Sequence, residues 1–217
     1  MKIHNKITSA IMAGVYIGIG ATAYIALCGE NIVAAAVFFA VGIMLVSSYH
    51  NMLATRVFAL FPYKSENYSV ADIFTALLFN GVGCIIYAWL LSITRFGNAA
   101  RLYNLENIIN SRFTDSYAGI FVMAIFCGFL VACGCLTGKS FPENKAVSMA
   151  LTVFFIATFV IIAPEHIVAD YFFFAYWSIS GSTFTPQILP ILLFSALGNA
   201  VGGIGAGYLD LIRRKGG

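Results

Sequence analysis

The sequence predicts an all-α membrane protein of six transmembrane helices, arranged as an inverted three-plus-three repeat in which the second and fifth helices are broken. Three observations carry that expectation: a chain of 217 residues that is 60% hydrophobic and only 10% charged, six apolar stretches long enough to cross a bilayer, and polar interruptions at matching places in the two halves. A mean hydropathy of +0.89 leaves more apolar surface than one water-soluble globule can bury. The net charge of +3 does not point to nucleic acid, because the cations flank apolar segments and form no basic face interleaved with aromatic residues.

A hydrocarbon core takes about 20 apolar residues per helix. Stretches of that order run near 7–28, 32–61, 72–94, 115–137, 146–178 and 186–211. They form one transmembrane domain over 1–217, with one repeat near 7–94 and the other near 115–211. The basic start from Met1 to Lys6 resembles a signal peptide, and Ile25-Ala26-Leu27-Cys28 resembles a lipoprotein cleavage site. Leu27, however, is bulky where cleavage wants a small residue, and roughly twenty apolar residues precede it, so a retained first helix is expected. Cys28, Cys84, Cys127, Cys133 and Cys135 lie in or beside apolar segments with no histidine at zinc spacing, which predicts reduced packing residues.

With the amino terminus on the cytoplasmic side, Lys2, Lys6, Arg56, Lys64, Lys139, Lys145, Arg213, Arg214 and Lys215 all fall inside, and only Arg95, Arg101 and Arg112 outside. That asymmetry predicts that both termini are cytoplasmic. The stretch 95–114 then becomes the one sizeable external connection, with room for a short amphipathic helix.

The halves echo one another. Ala13-Gly14-Val15-Tyr16-Ile17 is matched with Ala118-Gly119-Ile120-Phe121-Val122, and Asn80-Gly81-Val82-Gly83 with Asn199-Ala200-Val201-Gly202. Small residues at such spacing let membrane helices approach closely, and three passes per repeat make the repeat inverted. The two overlong stretches occupy corresponding places. One is interrupted at Ser47-Ser48-Tyr49-His50-Asn51, the other at Ala163-Pro164-Glu165-His166, where proline lacks an amide hydrogen and crowds the preceding turn. Non-helical backbone at membrane depth survives only inside protein or along a watery path. Paired breaks therefore predict a path at the repeat interface, where half-helix amino termini offer amides to an anion.

Glu165 and His166 lie within a run from Ala146 to Trp177 whose only other charge is Asp170. A charge at the bilayer centre costs about 2.5–3.5 kcal/mol even on lenient scales, so such groups face a cavity or each other. Imidazole can donate a hydrogen bond to a passing anion and can exchange a proton near neutral pH, which makes His166 the leading candidate. Glu165 points about 100 degrees away on an ideal helix, and is expected to bond amides freed by the break. His50 and Asn51 are expected to hold the shape of the other break.

These residues together resemble the formate/nitrite transporter family. Glu165-His166-Ile167-Val168-Ala169-Asp170 is similar to its Glu-His-x-x-Ala-Asn signature, Gly198-Asn199-Ala200-Val201-Gly202-Gly203 to its Gly-Asn-x-x-Gly-Gly pattern, and Cys127-Gly128-Phe129-Leu130-Val131 to its Cys-Asn-x-Leu-Val run. The resemblance spans about Ala13 to Gly207. It implies an aquaporin-like protomer in a homopentamer of the bacterial inner membrane, each protomer with its own pore. It also implies an aromatic constriction at Phe159, an opposing constriction near Met52 and Leu53, a cation at the external vestibule at Arg112, and a pore-side role for Asn199. Departures stand at Gly128 and Asp170, where the family carries asparagine, at Ala54, near its threonine, and at Arg112, in place of lysine. The implied function is passive, pH-dependent passage of a small monovalent anion or its weak acid, such as formate, nitrite or hydrosulfide. A neutral-solute channel for water, glycerol or ammonia is the alternative, although no Asn-Pro-Ala repeat appears. An intramembrane enzyme would need a nucleophile or metal ligands beside Glu165 and His166, and no HExxH is present, so no catalysis, cofactor or metal is expected.

Overall fold

The computed structural model describes residues 3–162, 165–181 and 183–216. Lys2, counted above among the inner cations, and Ala163 and Pro164, the expected helix breaker, lie outside the described residues. Among the described residues the chain is helical with no strand: α1 Ile3–Leu27, α2 Ile32–Ser48, α3 Ala54–Leu60, α4 Val70–Ser92, α5 Ala99–Thr114, α6 Tyr117–Ser140, α7 Lys145–Ile162, α8 Ile167–Ile179 and α9 Ile188–Gly216. Five of these, α1, α4, α6, α7 and α9, are long and apolar enough to cross a membrane, and α2 and α8 are shorter apolar helices.

Side chains at the helix starts supply partners for amides that have no intrahelical acceptor. Asn31 accepts from Ala34 N, Asn98 from Arg101 N and Ser116 from Gly119 N, while Ser69 and Asp72 form a reciprocal capping box at α4. The amphipathic α5 fills most of the predicted external connection and buries Leu105, Ile109 and Arg112.

The first overlong stretch breaks where the polar run predicts. Asn51 N bonds Val46 O at 2.9 Å and His50 N bonds Ser47 O at 3.3 Å, and His50 takes the left-handed conformation at φ 53, the geometry of a Schellman stop. The extended residues beyond it are tied to α1, with Met52 N donating to Ser9 Oγ at 2.9 Å and Asn51 Nδ2 to Ser9 O at 3.3 Å. Asn51 thus holds the loop, as the sequence suggests.

Each half is built on one close helix crossing, α1 with α4 and α6 with α9. A Cβ on Gly14 would lie 3.0 Å from the carbonyl carbon of Asn80, and one on Gly128 would lie 2.7 Å from Asn199 Cα, so neither position has room for a side chain. The two asparagines bond in parallel fashion. Asn80 Oδ1 accepts from Ala54 N at 2.8 Å while its Nδ2 donates to Ala10 O and Met52 O. Asn199 Oδ1 accepts from Ile167 N at 2.9 Å while its Nδ2 donates to Ala124 O and Glu165 O. Ala10 therefore corresponds to Ala124, and Gly14 to Gly128. The sequence echo of Gly14 with Gly119 is out of register: Gly119 faces its own cap, Ser116, and makes no crossing. The echo of Asn80 with Asn199 is in register.

Each asparagine joins the first amide of a short helix to the carbonyl two residues before it and to a carbonyl on a neighbouring long helix, α1 or α6. Replacing Asn199 with leucine leaves the buried Ile167 N–H without its acceptor, and we expect a loss of about 1–3 kcal/mol, read as a lower unfolding temperature of the purified protein in detergent.

Candidate functional site

The short helices exchange places: α8 packs on α4 and α1, and α3 on α9 and α6. Their amino-terminal ends meet between the two halves of the chain, where Thr55 Oγ1 lies 3.1 Å from His166 Nε2, both residues fully buried. Two cavities lie near this contact, termed outer and inner after the orientation that the sequence predicts. The outer one, of about 70 Å³, is lined by His166, Phe159, Phe39, Tyr24, Arg112 and Phe173 among others. The inner one, of about 510 Å³, is lined by Arg56 and Leu60 of α3, His50, Thr152 and Lys139. Met52 and Leu53, expected to form a constriction, are buried at 1% and 0% exposure in the extended segment before α3, and line neither cavity.

His166 is the cap of α8, with its Nδ1 accepting from Ala169 N at 3.2 Å. A nitrogen that accepts from a backbone N–H carries no proton, so the neutral ring is protonated at Nε2. That Nε2–H points to Thr55 Oγ1. Phe159 stacks on the imidazole at 5.7 Å between centroids and 24° between planes, and Phe39 meets Phe159 edge-on at 5.7 Å. Phe159, expected at an aromatic constriction, thus forms an aromatic pair with Phe39 beside His166, and Phe39 is the member that sequence reasoning missed.

Beside the outer cavity lies a buried ion cluster. Arg112 Nε donates to Asp170 Oδ1 at 2.9 Å and its Nη2 stands 2.8 Å from the same oxygen. Ser195 Oγ donates to Asp170 Oδ2 at 2.8 Å, and Glu165 Oε2 lies 3.6 Å from Arg112 Nε. Arg112 is 2% exposed, Glu165 3% and Asp170 0%. Burial opposes the guanidinium charge, but Asp170 and Glu165 outweigh it and hold Arg112 protonated well above its ordinary value. The face of Phe173 lies 5.4 Å from the guanidinium carbon.

The expected role of Glu165 in bonding freed amides falls to other side chains. Ala54 N and Ile167 N are taken by Asn80 and Asn199, and Ala169 N by His166, so these three amides are not offered to a solute. The Glu165 side chain turns to Arg112 instead. Among the described residues no three His, Cys, Asp or Glu side chains gather at a metal-binding geometry, and all five cysteines are free thiols.

The family model of the formate/nitrite transporters matches residues 1–209. The chain belongs to the formate/nitrite transporter family. Among solved structures it is similar to an FNT family ion channel, at 20% identity and TM-score 0.82, covering 98% of this chain and 91% of that one. It is also similar to a pentameric formate channel with formate bound, at 18% identity and TM-score 0.77, covering 98% and 97%. No curated protein matches. As in other members of the family, the chain is a multi-pass membrane protein.

Two of the departures from the formate/nitrite transporter pattern are one interaction: Arg112 and Asp170 are partners in a single ion pair. The departure at Gly128 follows from the α6–α9 crossing, which leaves no space for an asparagine. The hydroxyl missing at Ala54 is present one residue later, because Thr55 is the residue that reaches His166.

Proposed function

We propose that this formate/nitrite transporter carries a small monovalent anion or its conjugate weak acid, such as formate, nitrite or hydrosulfide, passively across the inner membrane. One pore runs through each protomer of a homopentamer, and flux depends on pH. The observation that carries this reading is the Nε2–H of His166, a polar donor set in an aromatic neck between two cavities. A bare anion is costly in such a neck, and a donor there offsets part of that cost. The His166 Nδ1 lone pair is engaged with Ala169, so the ring serves as a neutral donor. The proton that neutralises the solute then comes through water from bulk.

The membrane arrangement that fits is six crossings made by α1, α2 with α3, α4, α6, α7 with α8, and α9, with α5 external and both termini cytoplasmic. The parallel bonding of Asn80 and Asn199 supports an inverted repeat. The gathering of Lys6 with Asp72, Lys139 with Glu66, and Arg213 and Arg214 with Asp210 supports a common cytoplasmic end.

Purified protein in liposomes tests the function. Formate, nitrite, hydrosulfide, acetate and lactate are offered at two pH values, and uptake of at least one is expected to rise as pH falls. Uptake no faster than in empty liposomes for all five would refute it. The pairing of Arg112 keeps a second reading in play, a channel for a neutral solute such as water, glycerol or ammonia, which liposome swelling in polyols would reveal.

A further inference from the structure

We infer that Asp170 is a specificity-determining residue that cancels the vestibule cation of this chain, so that the outer mouth selects the neutral conjugate acid over the anion. The inference rests on the transport reading above. Three ionisable side chains share one buried cluster at the outer cavity: Arg112, Asp170 and Glu165. With both carboxylates ionised the cluster carries a net charge of −1, and with one protonated it carries none. In neither state is a positive charge left over to draw an anion into a cavity of about 70 Å³.

The groups around the cluster do not reverse this. Tyr24 and Ser195 are neutral, and Asp115 adds a further acidic group within electrostatic reach of Glu165. Arg101 lies eleven residues before Arg112 on α5, about 16 Å along the axis, and is held over the Phe96 ring at 4.5 Å. That separation exceeds the screening length at physiological salt. His166 is engaged as a neutral cap. An anion at the mouth therefore meets aromatic rings and a cluster without net positive charge, whereas the neutral acid meets only the rings and the single Nε2–H donor. The solutes such a mouth favours are weak acids with a substantial neutral fraction near neutral pH.

Asp170→Asn removes one negative charge while keeping a side chain of the same shape beside Ser195 and Arg112, so that the cluster with Glu165 protonated goes from no net charge to +1. In liposomes at fixed pH we expect this variant to lower the KM for formate about tenfold, the size of one unit charge acting over roughly 10 Å at an intermediate dielectric. Its formate uptake should also fall as salt is raised, because an attracting charge is screened. Wild-type uptake should be nearly indifferent to salt. A purely structural role for Asp170 moves neither KM nor salt response in this direction. Wild-type uptake that collapses with rising salt overturns the inference without any variant. So does a folded Asp170→Asn protein with unchanged KM and salt response. pH-dependent wild-type uptake beside an inert substitution removes only the role of Asp170, while a wild type that carries none of the acids removes the transport reading and this inference together.

Discussion

Replacing His166 with asparagine is expected to reduce weak-acid flux by roughly 10- to 100-fold while leaving the protein folded. The factor corresponds to losing one hydrogen bond to a charged group, about 1.5–3 kcal/mol, in a desolvated neck. Asparagine is as good a helix cap as the residue it replaces, so the bond to Ala169 N is kept. Its shorter side chain cannot reach the place of Nε2, 3.1 Å from Thr55. The flux that remains should follow the neutral fraction of the acid, rising as pH falls. His166→Ala is expected to show the same loss with a further fall in stability of about 1 kcal/mol from the missing cap. Liposome uptake across pH, paired with thermal unfolding in detergent, separates the two effects. Unchanged uptake in a folded His166→Asn protein would remove the imidazole from the mechanism.

Removing the cation of the outer cluster should have the largest effect on stability. In Arg112→Gln, Asp170 at 0% exposure and Glu165 at 3% are left together without a counter-charge. Breaking a buried pair by deleting one partner costs about 3–5 kcal/mol, and here two carboxylates are stranded. The purified variant is expected to unfold at a markedly lower temperature or to fail to accumulate. Adding Asp170→Asn in the same chain should recover a substantial part of the loss, because the stranded charge is the cause. A double-mutant cycle on unfolding temperature measures this coupling. Equal losses in the single and double variants would show that Arg112 acts through packing on Phe173 alone.

Several features of the site are legible from residue type and order. A glutamate and a histidine in a largely apolar run mark a position that must face a cavity or a partner whatever the fold, because burying them in lipid is so costly. The polar run at Ser47 to Asn51 announces a break, and the structure stops α2 at Ser48. The match of Asn80 with Asn199 is also legible, since a buried amide in each half is a specific signal. The match of Gly14 with Gly119 fails because small residues are common in membrane helices and carry little register information; only the crossing with Asn199 identifies Gly128 as the equivalent. Thr55 could have been found by asking which hydroxyl follows the first break, whereas Phe39 lies on α2, far from any motif.

The sequence by itself determined that this chain crosses a membrane repeatedly, that its second and fifth hydrophobic stretches are interrupted, and that Glu165 and His166 are ionisable groups set in an apolar run. Those conclusions follow from hydrophobic length and from the cost of polar groups in lipid, which are local properties of the chain. Only the tertiary structure decided that Arg112 spends its charge on Asp170, 58 residues away, that Asn80 and Asn199 hold the ends of the short helices, and that the His166 ring accepts at Nδ1 from Ala169 and donates at Nε2 to Thr55. Pairings of this kind depend on which helix faces cross, and that is set by close backbone contacts between residues distant in the chain.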